Sequence, residues 1–161
     1  MAPALIALDA QIHLLGPQRA RSLPLQEFFV TPVQRLYQEN VLERQEVITA
    51  LTVPPASAER KQVFLKSRIR QADEFSLASM ALAAQVKGGT CTDCRLVLGG
   101  VAPRPYRALA AEEAIAGRPL TADNIHRAAT ATLADAKPMT MNAYKLDLTR
   151  GLVGRAFQHI A

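Results

Sequence analysis

Tryptophan is absent, and aromatic residues make up only 5% of the 161-residue chain. The core therefore has to be assembled from alanine, leucine, valine and isoleucine. Only two cysteines occur, too few for a disulfide framework, and that count points to a reducing, cytoplasmic compartment. No apolar run approaches the roughly 18 residues that span a bilayer. The opening stretch MAPALIALD lacks a basic start and is broken by Asp9, so no secretory signal is expected. No P-loop, no G-x-G-x-x-G and no G-x-S-x-G is present, which removes the common sequence signs of nucleotide binding and serine hydrolysis.

Apolar residues make up 49% of the chain, enough to bury a core within one ordinary domain, or one domain plus a fragment. The net charge of +5 and the isoelectric point near 9.6 raise nucleic acid as a partner. The basic residues, however, are dispersed among acids (Arg19, Arg21, Lys61, Lys66, Arg68, Arg70, Arg104, Arg107, Arg150 and Arg155) with no aromatic platform beside them. Nucleic-acid binding is therefore not expected, and the basic surface suits solvent or an acidic partner subunit.

Residues 4 to 15 place Ile6, Leu8, Ala10, Ile12 and Leu14 on alternate positions, the pattern of a half-buried strand that Gly16-Pro17 ends. Residues 30 to 45 read as a long connection. EVITALTVP, residues 46 to 54, is β-branched and alternating, hence a strand. QVFLKSRIR, residues 62 to 70, reads as another, with Phe64, Lys66, Arg68 and Arg70 on one face. SLASMALAAQV, residues 76 to 86, has a helical composition, yet it alternates and leads through Lys87-Gly88-Gly89-Thr90 into a second apolar run. A hairpin with CRLVLGG as its antiparallel partner is expected.

Helices follow. Ala108 to Ala116 is a short one ended by Gly117 and Pro119. Thr121 caps the next, with Ile125, Ala128, Ala129 and Leu133 as its stripe. The last spans about 142 to 160, with Leu148, Leu152, Val153, Ala156, Phe157 and Ile160 on its apolar face. Strands first and helices after indicate an α+β fold, with a helical layer packed on an antiparallel sheet.

Cys91 and Cys94 form a C-x-x-C. On a regular strand their odd spacing sends the side chains to opposite faces, which suits neither a shared metal nor a disulfide. No second cysteine pair exists to complete a zinc site, so the motif is expected to be coincidental. His13, His126 and His159 sit alone in separate elements and read as surface or packing residues. Glu112 and Glu113 suit the start of a helix, and Asp73-Glu74 suit ion pairing with Arg70.

The stretch RLVLGGVAPRPYRALAAEEAIAGRPLT resembles the C-terminal domain of the FAD-binding medium subunit of molybdenum hydroxylases, the group of xanthine dehydrogenase and aerobic carbon monoxide dehydrogenase. The resemblance extends to NVLERQEVITALTVP, to FLKSRIRQADEFSLASMALAAQV and to DAKPMTMNAYKLDLTRGLVGRAF. PALIALDAQIHLLGPQRARSLPLQEFF resembles the tail of the FAD-binding domain that precedes it. The resemblance implies residues 1–44 as the end of that domain plus a linker, and residues 45–161 as the C-terminal domain, a three-stranded sheet with a three-helix bundle.

It also implies an FAD on the medium subunit that takes electrons from 2Fe–2S clusters and passes them to an acceptor. The molybdenum cofactor and the clusters would lie on partner subunits, a molybdenum large subunit and an iron–sulfur small subunit. Ile48 matches an aliphatic residue that packs near the flavin, Lys66 a lysine that reaches the flavin edge, and Phe64 shares the face of Lys66. Members of the group begin with a long segment bearing the glycine-rich loops that hold the FAD pyrophosphate. A chain without them is expected to bind FAD weakly or not at all unless a separate N-terminal segment completes the site, and the strand at 4 to 15 is expected to be left as an apolar edge. The rival expectation is an interaction module that keeps the fold and has lost the cofactor.

Overall fold

The computed structural model describes residues 1–55, 60–71 and 74–161. In chain order the elements are α1 (Ala2–Ala7), β1 (Gln11–Leu15), β2 (Ala20–Pro24), α2 (Leu25–Phe28), β3 (Val47–Thr52), β4 (Arg60–Ser67), β5 (Ala78–Lys87), β6 (Thr90–Gly99), β7 (Tyr106–Arg107), α3 (Leu109–Ile115), β8 (Arg118–Pro119), α4 (Ala122–Ala131) and α5 (Tyr144–Ile160). Every pairing is antiparallel. One sheet runs in the order β2-β1-β3. The other runs β4-β5-β6-β7, with β8 also on β6. The α+β class expected from strands followed by helices holds.

The larger sheet organises the chain because β5 is buried on both faces. On one face Ala78, Met80, Leu82 and Ala84 join Leu96 and Leu98 of β6 beneath α3, α4 and α5. On the other, Ala81, Ala83 and Val97 meet Ile6 and Ala7 of α1. This two-sided burial explains the Ala-rich, helix-like composition of SLASMALAAQV: alanine is small enough to let α1 lie close to the strand. Gly99 serves the same approach. A Cβ there would stand 2.9 Å from Pro3 Cγ and 2.7 Å from Ser79 Oγ, so only a residue without a side chain fits.

The helical face is built as expected. Thr121 caps α4, its hydroxyl accepting from the Asn124 N–H. Ile125, Ala128 and Ala129 are buried, and so are Leu152, Val153, Ala156, Phe157 and Ile160 of α5. α3 packs on α4, and α4 on α5. Glu112 of α3 is buried rather than solvated at a helix start. Its carboxylate accepts from the Leu96 N–H at 2.9 Å and from Arg107 Nη2 at 2.9 Å and Nε at 3.0 Å, tying α3 to the edge of β6.

The single strand expected at residues 4 to 15 is instead a helix followed by a strand. Ala2, Ala4 and Ala7 favour helix, and Pro3 stands in its first turn, where a missing N–H costs nothing. Pro3, Ile6, Ala7 and Ala10 then share the buried side at helical spacing. Asp9, with φ of 56°, turns the chain into β1. Nor is β1 an apolar edge, since β2 pairs it on one side and β3 on the other.

The small sheet is fastened by polar contacts. His13 bonds Ser22 at 2.7 Å and also Thr52, joining three strands on one face. This is the packing role expected of a lone histidine. Glu46 accepts from Arg21 through both carboxylate oxygens, each at 2.7 Å, and from the Glu43 N–H. The Arg21 guanidinium, followed by the Glu43 N–H, pulls the Glu46 carboxyl down from 4.5 to about 2. A carboxylate depressed in the folded state stabilises above its unfolded pKa, and that contribution is lost as pH falls through the folded value. Acid titration from pH 5 to pH 2 is therefore expected to loosen the small sheet, read as faster amide exchange in β2 and β3. Glu46→Gln should flatten that dependence.

Candidate functional site

The chemistry-bearing residues of β4 stand on the face turned toward α1. Phe64 pairs with Ala81 and Lys66 with Ser79, while Val63 and Leu65 point to the helices. Phe64 remains 48% exposed. The expected strand runs on to Arg70, but β4 ends at Ser67, so Arg68 and Arg70 do not continue its pleat.

Phe64 and Lys66 line an open groove of about 480 Å³ together with Met1, Glu74, Phe75, Ser76 and Ser79. Phe75 is fully exposed there. Two of the chain's few aromatic residues, Phe64 and Phe75, thus line one open surface. Lys66 also borders a second groove against α5, lined by Arg68, Asp147, Leu148 and Arg155 among others. Lys66, which carries the ammonium, thus borders both grooves.

Glu74 does not neutralise that ammonium directly. Arg70 holds it in an ion pair at 2.6 Å, with the Arg70 N–H adding a bond at 2.9 Å. These two bonds from Arg70, chiefly the side-chain one, keep the Glu74 carboxyl below the usual carboxylate range. The expected ion pairing of Arg70 is thus present for Glu74, while Asp73 lies outside the described residues.

Of the three residues expected at a flavin, Phe64 and Lys66 are brought together, and Ile48 is not among the side chains lining their groove. Ile48 lies on β3 opposite Leu14, half-exposed beside Val47, Leu51 and Val53, an apolar strand edge on the other sheet. Phe75, Ser76 and Ser79 were missed as groove residues. Their signal was the interruption of the alternating pattern before Ala78, which leaves Phe75 outside the strand and in solvent.

A bulge overturns the expected geometry of Cys91 and Cys94. The register shifts between Gln85 and Val86, so Cys91 faces Val86 and Cys94 faces Ala84, with Thr92 taken up in the irregularity. One extra residue restores the even spacing, and both thiols lie on the helix-facing side, buried in the same cluster. Among the described residues, no group of three or more His, Cys, Asp or Glu side chains could hold a metal ion. No helix among them is long and apolar enough to cross a membrane.

Residues 62–160 match the family described as the CO dehydrogenase flavoprotein C-terminal domain, and residues 1–56 match the FAD binding domain in molybdopterin dehydrogenase. The chain is 29% identical over its whole length to the glyceraldehyde dehydrogenase medium chain of Sulfolobus acidocaldarius, covering 56% of that protein. It is 32% identical over 93% of its length to the aldehyde oxidoreductase FAD-binding subunit PaoB of Escherichia coli, covering 44% of it. Its fold superposes on the carbon monoxide dehydrogenase of Hydrogenophaga pseudoflava with a TM-score of 0.85 and 30% identity, over 95% of this chain and 53% of that one. The chain spans about half the length of the curated relatives it matches.

Proposed function

Because the chain belongs to the CO dehydrogenase flavoprotein C-terminal domain family, we propose that its Phe64–Lys66 groove is the part of a medium subunit that faces the FAD ring. The observation that carries this is the convergence of an exposed aromatic ring, a second exposed aromatic and an ammonium in one open groove. Those groups fit the edge of a flat, electron-accepting ring. Among the described residues no glycine-rich loop at a helix start offers a pyrophosphate cradle, and so the groove fits the ring end of FAD and not its phosphates.

When bound, FAD supplies two-electron chemistry, receiving electrons from 2Fe–2S clusters on an iron–sulfur small subunit and handing them to an acceptor. Lys66 places positive charge where negative charge develops on reduction. Phe64 and Phe75 give apolar surface and keep water from the ring edge. Ser79 offers a hydroxyl beside Lys66, its strand partner. Ile48, from the other sheet, supplies an apolar contact to the same ring. The helices α3, α4 and α5 act as the bundle that stiffens the back of the sheet. The basic outer surface docks on the iron–sulfur and molybdenum-cofactor subunits. Substrate oxidation belongs to the molybdenum large subunit in this scheme.

Lys66→Met in the complete flavin-loaded complex tests the role. The flavin midpoint potential is expected to fall by on the order of 30 mV, the equivalent of a tenfold loss in preference for the reduced ring. Lys66→Arg should restore most of it. An unchanged potential in Lys66→Met would remove Lys66 from the flavin edge.

A further inference from the structure

Cys91 and Cys94 are the only cysteines in the chain, and the groove makes no use of them. The bulge in β6 puts both on one face of the sheet, opposite Val86 and Ala84. Both are reduced and buried among the same apolar neighbours. We propose that Cys91 and Cys94 are a redox-modification site, a thiol pair that hydrogen peroxide closes to an intrachain disulfide.

The local structure supplies a nucleophile and a resolving thiol, beside a short edge strand. The bulge sets the two thiols next to each other on one face, and the Cys91 thiol donates to the Asp93 carbonyl at 3.7 Å. Hydrogen bonding with Cys94 lowers the Cys91 pKa, while the same partner and burial raise that of Cys94. Cys91 is thus the thiol that ionises and attacks, and Cys94 the one that keeps its proton. At the edge of the sheet Cys91 is bordered by β8, only two residues long and exposed. It is held to this end of β6 by pairing at Thr90 and Cys91 and, just before it, by the Gly117 N–H donating to the Cys91 carbonyl at 2.7 Å. A strand this short opens locally without unfolding the sheet.

The balance is simple. The Cys91 thiolate attacks one peroxide oxygen, the O–O bond breaks, and the departing hydroxide leaves as water with the proton Cys91 gave up. Cys91 then carries a sulfenic acid. The Cys94 sulfur displaces its hydroxyl, the S–S bond forms, and the Cys94 proton leaves with that hydroxyl as a second water. Two thiols and one peroxide become one disulfide and two waters, with both electrons going to the peroxide. The site lies at the hairpin end of the sheet, about 23 Å along β5 from Ser79 at the strand rise. It is therefore separate from the groove.

Intact mass and thiol counting of the purified full chain decide the matter. Graded peroxide is followed by alkylation under denaturing conditions, and the exposed Met139 and Met141 serve as internal dose markers. The expected result is a monomer lighter by two hydrogens, with both thiols blocked before the methionines oxidise and both recovered with dithiothreitol. Because no other cysteine exists, an intrachain disulfide can only be this one. Cys94→Ala should stop at a sulfenic acid on Cys91, trapped by dimedone. Two alkylatable thiols at a dose that converts Met139 and Met141 to sulfoxide would overturn the proposal, and so would cross-linking only between molecules.

Discussion

Replacing Glu112 with alanine is expected to lower the unfolding free energy by about 3 kcal/mol or more, the usual cost of removing one partner of a buried ion pair. Two losses add. The Arg107 side chain is only 27% exposed, and its guanidinium would keep its charge with no carboxylate to receive it. The Leu96 N–H, which donates to Glu112 instead of to a neighbouring strand, would be left without an acceptor. Glu112→Gln keeps an acceptor for Leu96 and gives up the charge, so it should fall between wild type and Glu112→Ala. Urea unfolding of the three proteins measures this. A change under about 1 kcal/mol for Glu112→Ala, the range of an exposed pair, would show that α3 is not fastened through this carboxylate.

The second large effect is expected at Gly100. Its φ of 75° lies in the left-handed region, which costs a residue bearing a Cβ about 1–2 kcal/mol. The added Cβ would also stand 3.0 Å from the Ser76 carbonyl oxygen, which is backbone and cannot swing aside. Gly100→Ala should therefore destabilise by about 2 kcal/mol and disturb residues 75 to 77, the rim of the Phe64–Lys66 groove. Chemical shifts at Phe75 and Ser76 read the second effect independently of the first. At Gly117, also left-handed but with nothing within 4 Å of an added Cβ, the same substitution should carry the backbone cost alone.

The larger sheet and its helices were legible in the sequence because each element follows one period. β5 was the instructive case. Its residues favour helix one by one, but Ala78, Met80, Leu82 and Ala84 alternate, and the Gly88-Gly89 turn leads straight into a matching run. The alternation of Ile6, Leu8, Ala10, Ile12 and Leu14 misled for the opposite reason. A helix of six residues is too short for a 3.6-residue period to stand out from a period of two, and Asp9 breaks the chain where the two merge. The cysteines were misplaced because strand parity holds only while the ladder is regular, and no residue in TCTDC announces a bulge. The pairing of Lys66 with Phe64 was legible as period two. Phe75, Ser76 and Ser79 come to them only through the sheet register and the path of the chain after β4.

The most direct test of the flavin-facing groove is an amide chemical-shift titration of the isotope-labelled 161-residue chain with riboflavin, which carries the ring and no phosphate, and separately with ADP, which carries the phosphates and no flavin. Riboflavin is expected to shift Phe64, Lys66, Phe75, Ser76 and Ser79 with weak affinity, and ADP to leave them in place. Shifts confined to other surfaces, or none at millimolar riboflavin, would contradict the assignment of this groove to the flavin ring.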